Sequence, residues 1–257
     1  MMAAGRQNGY SYMERCDYVN DSLRLIQNTD GLTFGTDALL LAGYVSGKYA
    51  RGLEIGSGSG IISMLLLTRE KLECAVALEV QSEYARLTER NAELNGLADR
   101  LATVCADVRE YRCEREFELV YTNPPYMKVT SGKSCMTDAK NIARHEVHGD
   151  IGDFCQGARR LLKFGGTFAA VYRPDRLTDL IYEMRRAEIE PKRMTLVYAD
   201  TASEPSMALV EGKRGGKCGM IMTPPFIIYN DKTHSEYSED MKYVMEHGSF
   251  PELYRRK

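Results

Sequence analysis

Short apolar runs alternate with helical stretches through the middle of this chain, and that alternation narrows its fold more than any other feature. Arg51–Ile55, Glu73–Glu79, Leu101–Ala106, Phe117–Thr122, Thr167–Tyr172 and Met194–Tyr198 read as strands, each brief and dominated by apolar residues. Between them, Ile61–Arg69, Ser82–Asn95, Ile142–Leu162 and Asp175–Ala187 carry helical patterning, with Gly96 and Gly165-Gly166 placed where helices stop. Such strands are buried on both faces, so helices must cover both sides of one sheet. The expected fold class is α/β: a Rossmann-like, doubly wound, mostly parallel sheet. Beyond Tyr198, "SMALVEGKRGGKCGMIMTPPFIIY" shows two β-like runs around a glycine-rich basic turn, which predicts a C-terminal antiparallel strand pair. Upstream, "SLRLIQ" reads as helical, and "LTFGTDALLLAGYV" as an extended piece entering an apolar helix with Thr36 as its cap.

With 257 residues, 44% of them hydrophobic and 27% charged, the chain can bury a full core as one domain. The first dozen residues, MMAAGRQNGYSY, are polar and unpatterned. Residues 1–16 are expected to be disordered and 17–257 to form a single domain. The longest apolar stretch, Ile61–Leu67 with one serine inside, is too short to span a bilayer, and no basic segment followed by an apolar core opens the chain. A cytoplasmic location is expected. Seven cysteines, none at a metal-knuckle spacing, predict reduced thiols and no metal. A formal net charge of −2 confines any nucleic-acid contact to local patches.

Ligands of doubly wound sheets bind beyond the carboxyl ends of the strands, so those ends are where chemistry is sought. The first carries Glu54-Ile-Gly56-Ser-Gly58-Ser-Gly60 and turns into IISMLLLTRE. Glycines there permit a tight turn and close approach of a ligand to backbone N–H groups, although their spacing is not G-x-G-x-x-G. An acid before the first glycine adds a negative wall, which suits a cofactor bearing ammonium or sulfonium better than a pyrophosphate. The second strand ends at Glu79, placed to accept from ribose hydroxyls, or else a solvated helix cap. Asp107 closes the third strand, placed to meet an adenine amine or to act as an N-cap.

The fourth strand delivers Asn123-Pro124-Pro125-Tyr126 to the same edge. The exocyclic amine of a base is a poor nucleophile because its lone pair is delocalised into the ring. Two acceptors, the Asn123 side-chain oxygen and the Pro124 carbonyl, would draw that nitrogen toward tetrahedral geometry and offset the positive charge that grows on it. Prolines stiffen the segment and remove donors. Tyr126 offers a ring for stacking, worth about 1–3 kcal/mol per base. The second double proline, Pro224-Pro225, lacks the asparagine and reads as structural.

Taken together, Glu54 to Gly60, Glu79 and Asp107 resemble the cofactor-binding set of class I S-adenosylmethionine-dependent methyltransferases. The resemblance implies that the glycine loop passes the methionine part, Glu79 holds the ribose and Asp107 meets the adenine. Asn123 to Tyr126 is similar to the amino-methyltransferase signature. Asp30 to Asp37, Ala143-Arg144-His145-Glu146, Tyr172-Arg173-Pro174 and Glu211 to Lys217 extend the likeness to the bacterial tRNA1(Val) adenine-N(6)-methyltransferase family. That likeness implies S-adenosyl-L-methionine as cofactor and tRNA as partner, with an anticodon-loop adenosine as the target. Protein-glutamine or DNA-adenine N-methylation, and a non-catalytic RNA-binding relative, remain the alternatives.

Arg144 is a candidate substrate contact or a structural ion pair. Lys213, Arg214 and Lys217, on their glycine-rich turn, are candidates to hold phosphates or to be a solvated hairpin. Lys128, Lys133 and Lys140 follow the tetrapeptide in a polar stretch that fits a lid. His145 and His148 stand one position short of the helical spacing zinc peptidases use.

Overall fold

A computed structural model describes residues 14–28, 34–124 and 149–255. The central strands are β3 (Tyr49–Ile55), β4 (Leu72–Glu79), β5 (Leu101–Cys105), β6 (Phe117–Thr122), β7 (Leu162–Tyr172), β8 (Ile189–Tyr198) and β9 (Pro205–Arg214). Their order across the sheet is β8-β9-β7-β6-β3-β4-β5. Only β9 runs against its neighbours β7 and β8, while β3, β4, β5, β6 and β7 pair in parallel. The doubly wound α/β sheet expected from the alternation is therefore present. Helices α1 (Thr36–Tyr44), α2 (Ile61–Thr68) and α3 (Ser82–Leu94) bury one core against it. On the other face, α4 (Ile151–Leu161) and α5 (Leu177–Arg186) bury a second. Strand alternation divides the two: Leu119 and Tyr121 of β6 face the first core, Val120 the second.

Several expectations fail, each for a local reason. "SLRLIQ" is not helical: Leu23–Asn28 forms β2, paired antiparallel with β1 (Glu14–Asn20). Leu23 and Leu25 are buried around exposed Arg24, and Ile26 and Gln27 are buried after them. Asn20 shapes the connecting turn by accepting from the Ser22 N–H at 2.9 Å. The boundary expected after residue 16 thus falls inside β1. Asn91 of α3 and Asn95, the C-cap one turn further on, dock this hairpin by bonding both backbone groups of Ile26 and Arg24 respectively. Thr36 is not a cap but the first residue of α1, whose N-cap is Gly35. The helix expected over Ile142–Leu162 begins only at Ile151 within the described residues. Gly149, at φ +77°, turns the chain, and Asp150 with Asp153 forms a capping box there.

The tail also departs from expectation. Its first run is β9, whose two edges are taken by β7 and β8. No edge remains for a hairpin partner. The glycine-rich turn therefore carries the chain across β8, where β10 (Ile221–Met222) and β11 (Phe226–Ile227) add in parallel on its outer side. The antiparallel pair is β8 with β9, joined through Ala199–Glu204. A final helix, α6 (Glu239–His247), and the tail after it lay Phe250 and Tyr254 against Phe226 over the first core.

Candidate active site

The carboxyl ends of β3, β4, β5 and β6 open at one edge. Gly56, Gly58 and Gly60 follow β3 with φ of +72°, +56° and +78°, a run of left-handed turns that L residues resist. The loop is pinned from outside. Gly56 N–H donates to Leu78 O at 2.8 Å, Thr88 Oγ1 donates to Gly58 O at 2.9 Å, and Asn91 Nδ2 donates to Ser59 O at 3.0 Å. Beyond its chain neighbours, a Cβ on Gly58 would meet nothing within 4 Å among the described residues, so the loop presents bare backbone on that side.

Glu79 ends β4 almost fully buried, and its carboxylate accepts from Gly58 N–H and Gln81 N–H, both at 2.9 Å. A carboxylate has about four acceptor positions, so two stay available for hydroxyl donors. Asp107 is engaged differently. Arg109 clasps it with its backbone N–H at 2.8 Å and its guanidinium at 2.5–3.0 Å, and these bonds hold the carboxyl below the usual range. An amine reaching Asp107 must displace part of that clasp, an exchange that costs little at an exposed ion pair.

Glu54 corrects the expectation of a negative wall. It is 1% exposed and points beneath α2, where Ser63 N–H and Ser63 Oγ both donate to its Oε2, and Ser63 Oγ meets Tyr121 Oη at 2.6 Å. Burial pushes its carboxyl up to about 8, against the Ser63 bonds that favour the anion. Bonded to Ser63 under α2, it acts as a brace beneath the loop. Its place in the sequence resembled a ligand wall because adjacent residues at a strand end point to opposite faces.

Across the sheet from the loop, Thr122 pairs with Ile55, and Thr122 Oγ1 donates to Ile55 O at 2.8 Å. That register sets Asn123 and Pro124 beside the start of the glycine loop. Asn123 Nδ2 donates to Asp37 Oδ2 at 2.8 Å, and Asn123 Oδ1, buried, has no partner among the described residues. Pro125, Tyr126, Lys128, Lys133, Lys140, Arg144, His145 and His148 lie outside the described residues. Asp37 stands in a stretch that carried the family likeness, but its contact with Asn123 escaped sequence reasoning, as did Thr88 and Asn91, which nothing local distinguishes from ordinary helix residues.

The basic turn stands elsewhere. Lys213 pairs with Thr167 and Ala208 with Tyr172, so β9 carries Lys213 and Arg214 to the amino edge of the sheet, opposite the glycine loop. Five residues separate those levels, roughly 17 Å at the rise of a strand. Lys213 Nζ donates to Thr167 Oγ1 at 2.7 Å, Arg214 bonds Leu162 O and Glu116, and Lys217 O accepts from Lys192. Lys213 and Arg214 thus bond within the fold at the edge opposite the glycine loop, and Lys217 stands exposed there. The six described cysteines are free thiols. Among the described residues, no helix is long and apolar enough to cross a membrane.

The family model described as the methyltransferase small domain matches residues 28–178, the stretch that holds the glycine loop, both strand-end acids and Asn123. A tRNA1(Val) (adenine(37)-N6)-methyltransferase of Aeromonas hydrophila is 26% identical over 217 residues, covering 83% of this chain and 87% of that one. One of the same name from Phocaeicola vulgatus is 27% identical over 180 residues, covering 70% and 76%. Among solved structures, a protein of Agrobacterium tumefaciens described as a predicted O-methyltransferase superposes with a TM-score of 0.67 at 20% identity, over 84% of this chain and 98% of that one.

Proposed function

From the premise that the chain belongs to the methyltransferase small domain family, we propose that it transfers the methyl group of S-adenosyl-L-methionine to the exocyclic N6 amine of an adenosine in tRNA, next to the anticodon of a valine tRNA. The cofactor, when bound, supplies a methyl carbon made electrophilic by sulfonium sulfur. The residues present fit it: bare loop backbone at Gly58, acceptor positions left on Glu79, and an orphaned acceptor one strand away.

The observation that carries this reading is the buried Asn123 Oδ1, which has no partner among the described residues. A buried acceptor without a donor costs free energy, and such a group at a strand end is retained for a ligand. In this reading Oδ1 would accept one amine hydrogen and the Pro124 carbonyl the other. Both would stabilise the positive charge that builds on the amine nitrogen as it takes the methyl group the cofactor would supply, and the extra proton on that nitrogen would then pass to water. No strong base is needed. The target base must be unstacked to enter, which a loop allows more cheaply than a duplex.

The test is incubation with labelled cofactor and total tRNA from a strain lacking the gene, followed by mass spectrometry of the nucleosides. N6-methyladenosine in valine tRNA is the expected product. Label confined to protein or DNA fractions refutes the reading.

Glu79→Ala should weaken cofactor binding by about 1–3 kcal/mol through loss of charge-assisted hydrogen bonds. Calorimetry with S-adenosylhomocysteine reads this directly, and unchanged affinity would show that the carboxylate serves only the loop. Conversely, Lys213→Gln with Lys217→Gln should leave kcat/KM for tRNA within about threefold, because neither contributes a phosphate contact at the reacting edge. A steep loss with a reduced salt slope would reinstate the basic turn as an RNA contact.

A further inference from the structure

Asn123 can act as described only if its oxygen, not its nitrogen, faces the acceptor amine. Nothing intrinsic to an asparagine side chain enforces this, because a half-turn about its last bond exchanges the two atoms. The enforcement comes from outside the tetrapeptide. Asp37, the second residue of α1, places Oδ2 at 2.8 Å from Asn123 Nδ2, across 86 positions of sequence. A carboxylate accepts only, so the flipped amide would set oxygen against oxygen and lose a charge-assisted bond. That preference is on the order of 10–100-fold in population.

Gly35 supplies the second observation. Its φ of −123° is open to any residue, so backbone conformation does not require glycine there. A Cβ at position 35 would lie 2.6 Å from Asp37 Oδ1, and beyond its chain neighbours the only other atom of the described residues within 4 Å is Asp37 Cγ at 3.6 Å. The missing side chain therefore makes room for one carboxylate. Oδ1 is held in that space by the Ala38 N–H at 2.9 Å, which leaves Oδ2 directed at Asn123. Gly35, Thr36 and Asp37 thus read as a unit: space, helix start, anion.

We propose that Asp37 is a positioning residue for methyl transfer: it fixes the orientation of the Asn123 amide and, by holding its N–H, polarises the amide so that Oδ1 becomes a stronger acceptor. The inference rests on the function proposed above. An anion on the donor side of an amide draws electron density toward its oxygen, where the amine hydrogen binds, and the chain of bonds strengthens cooperatively. Asp37 touches neither the reacting nitrogen nor the methyl carbon. It accepts no proton in the reaction.

The test compares Asp37→Ala, Asp37→Asn, Gly35→Ala, Asn123→Ala and the Asp37→Ala/Asn123→Ala pair in the full chain. The readouts are single-turnover kcat on tRNA and S-adenosylhomocysteine affinity by calorimetry. Asp37→Ala is expected to lower kcat about 10–100-fold, with affinity held within about threefold. Asp37→Asn keeps an acceptor for Nδ2 and should recover part of the loss. Gly35→Ala should act in the same direction by displacing the carboxylate, without further loss when Asp37 is already alanine. Asp37→Ala should cost little in an Asn123→Ala background, since one acts through the other. Full kcat in Asp37→Ala, a loss confined to cofactor affinity, or multiplying losses in the pair would overturn the inference while leaving the function intact. Full kcat in Asn123→Ala would overturn both.

Discussion

With Asn123 replaced by alanine, kcat falls on the order of 10²–10³-fold while S-adenosylhomocysteine binds within about threefold of the parent. The magnitude follows from what is lost. Oδ1 is an acceptor already desolvated and already oriented, so it stabilises charge on the amine without reorganising when that charge appears. An alanine methyl leaves the amine hydrogen facing an apolar wall, and the lone pair remains in the ring. Cofactor binding is spared because the glycine loop and Glu79 are braced by Thr88, Asn91 and Leu78, not by Asn123. Asn123→Asp should not rescue. It would set two carboxylates in the 2.8 Å contact with Asp37, and one of them would have to take a proton. Rapid-quench measurement of one turnover separates chemistry from product release. A kcat within threefold of the parent would refute the acceptor role.

Much of this site is legible in the chain because strand ends in a parallel sheet are few and all point one way. Glu54, Glu79 and Asn123 stand where the ends of β3, β4 and β6 were expected, and the register of Thr122 with Ile55 brings Asn123 to the loop. What sequence could not supply is direction and partnership. Glu54 and Glu79 both look like strand-end acids, yet one turns under α2 and the other toward the loop, a distinction set by the pleat and by where Ser63 falls on the helix. Asp107 reads as an adenine contact or an N-cap, and nothing local shows that Arg109, two residues on, clasps it. Asp37 depends on α1 packing across the sheet edge, a contact between remote segments that no local pattern encodes. The N-terminal hairpin was mistaken for helix because a six-residue run such as "SLRLIQ" fits either period. Its true partners, Asn91 and Asn95, are spaced for a helix face that meets a strand.

Glu211 shows the same limit most sharply, and its removal should have the largest effect on stability: Glu211→Ala is expected to cost about 3–5 kcal/mol of unfolding free energy. In sequence it belonged to a basic, glycine-rich segment that looked made for phosphate. In the fold it sits in β9 opposite Arg193 of β8, a guanidinium with no exposed side-chain surface. Arg193 donates to Glu211 Oε2 at 2.8 Å, to Tyr44 O at 2.6 Å and to Tyr254 O at 2.8 Å, and it lies 3.8 Å over the Tyr44 ring. Carbonyls and a ring can orient that cation, but among the described residues only Glu211 is bonded to it as an anion. Removing Glu211 therefore leaves a buried charge uncompensated, which is far costlier than losing a surface pair. Glu211→Gln keeps the acceptor and should lose less. The effect reaches the site by a short mechanical path. Tyr44 ends α1, Lys71 grips the same end through Ala42 O, Gly43 O and Val45 O, and Asp37 stands at the helix's other end roughly 11 Å away at the α-helical rise. Loosening the anchor should lower kcat through Asp37 before it affects the glycine loop, which hangs from β4 and α3. Denaturant titration gives the stability change, and a cost under about 1 kcal/mol would mean that the Arg193 charge is compensated without Glu211.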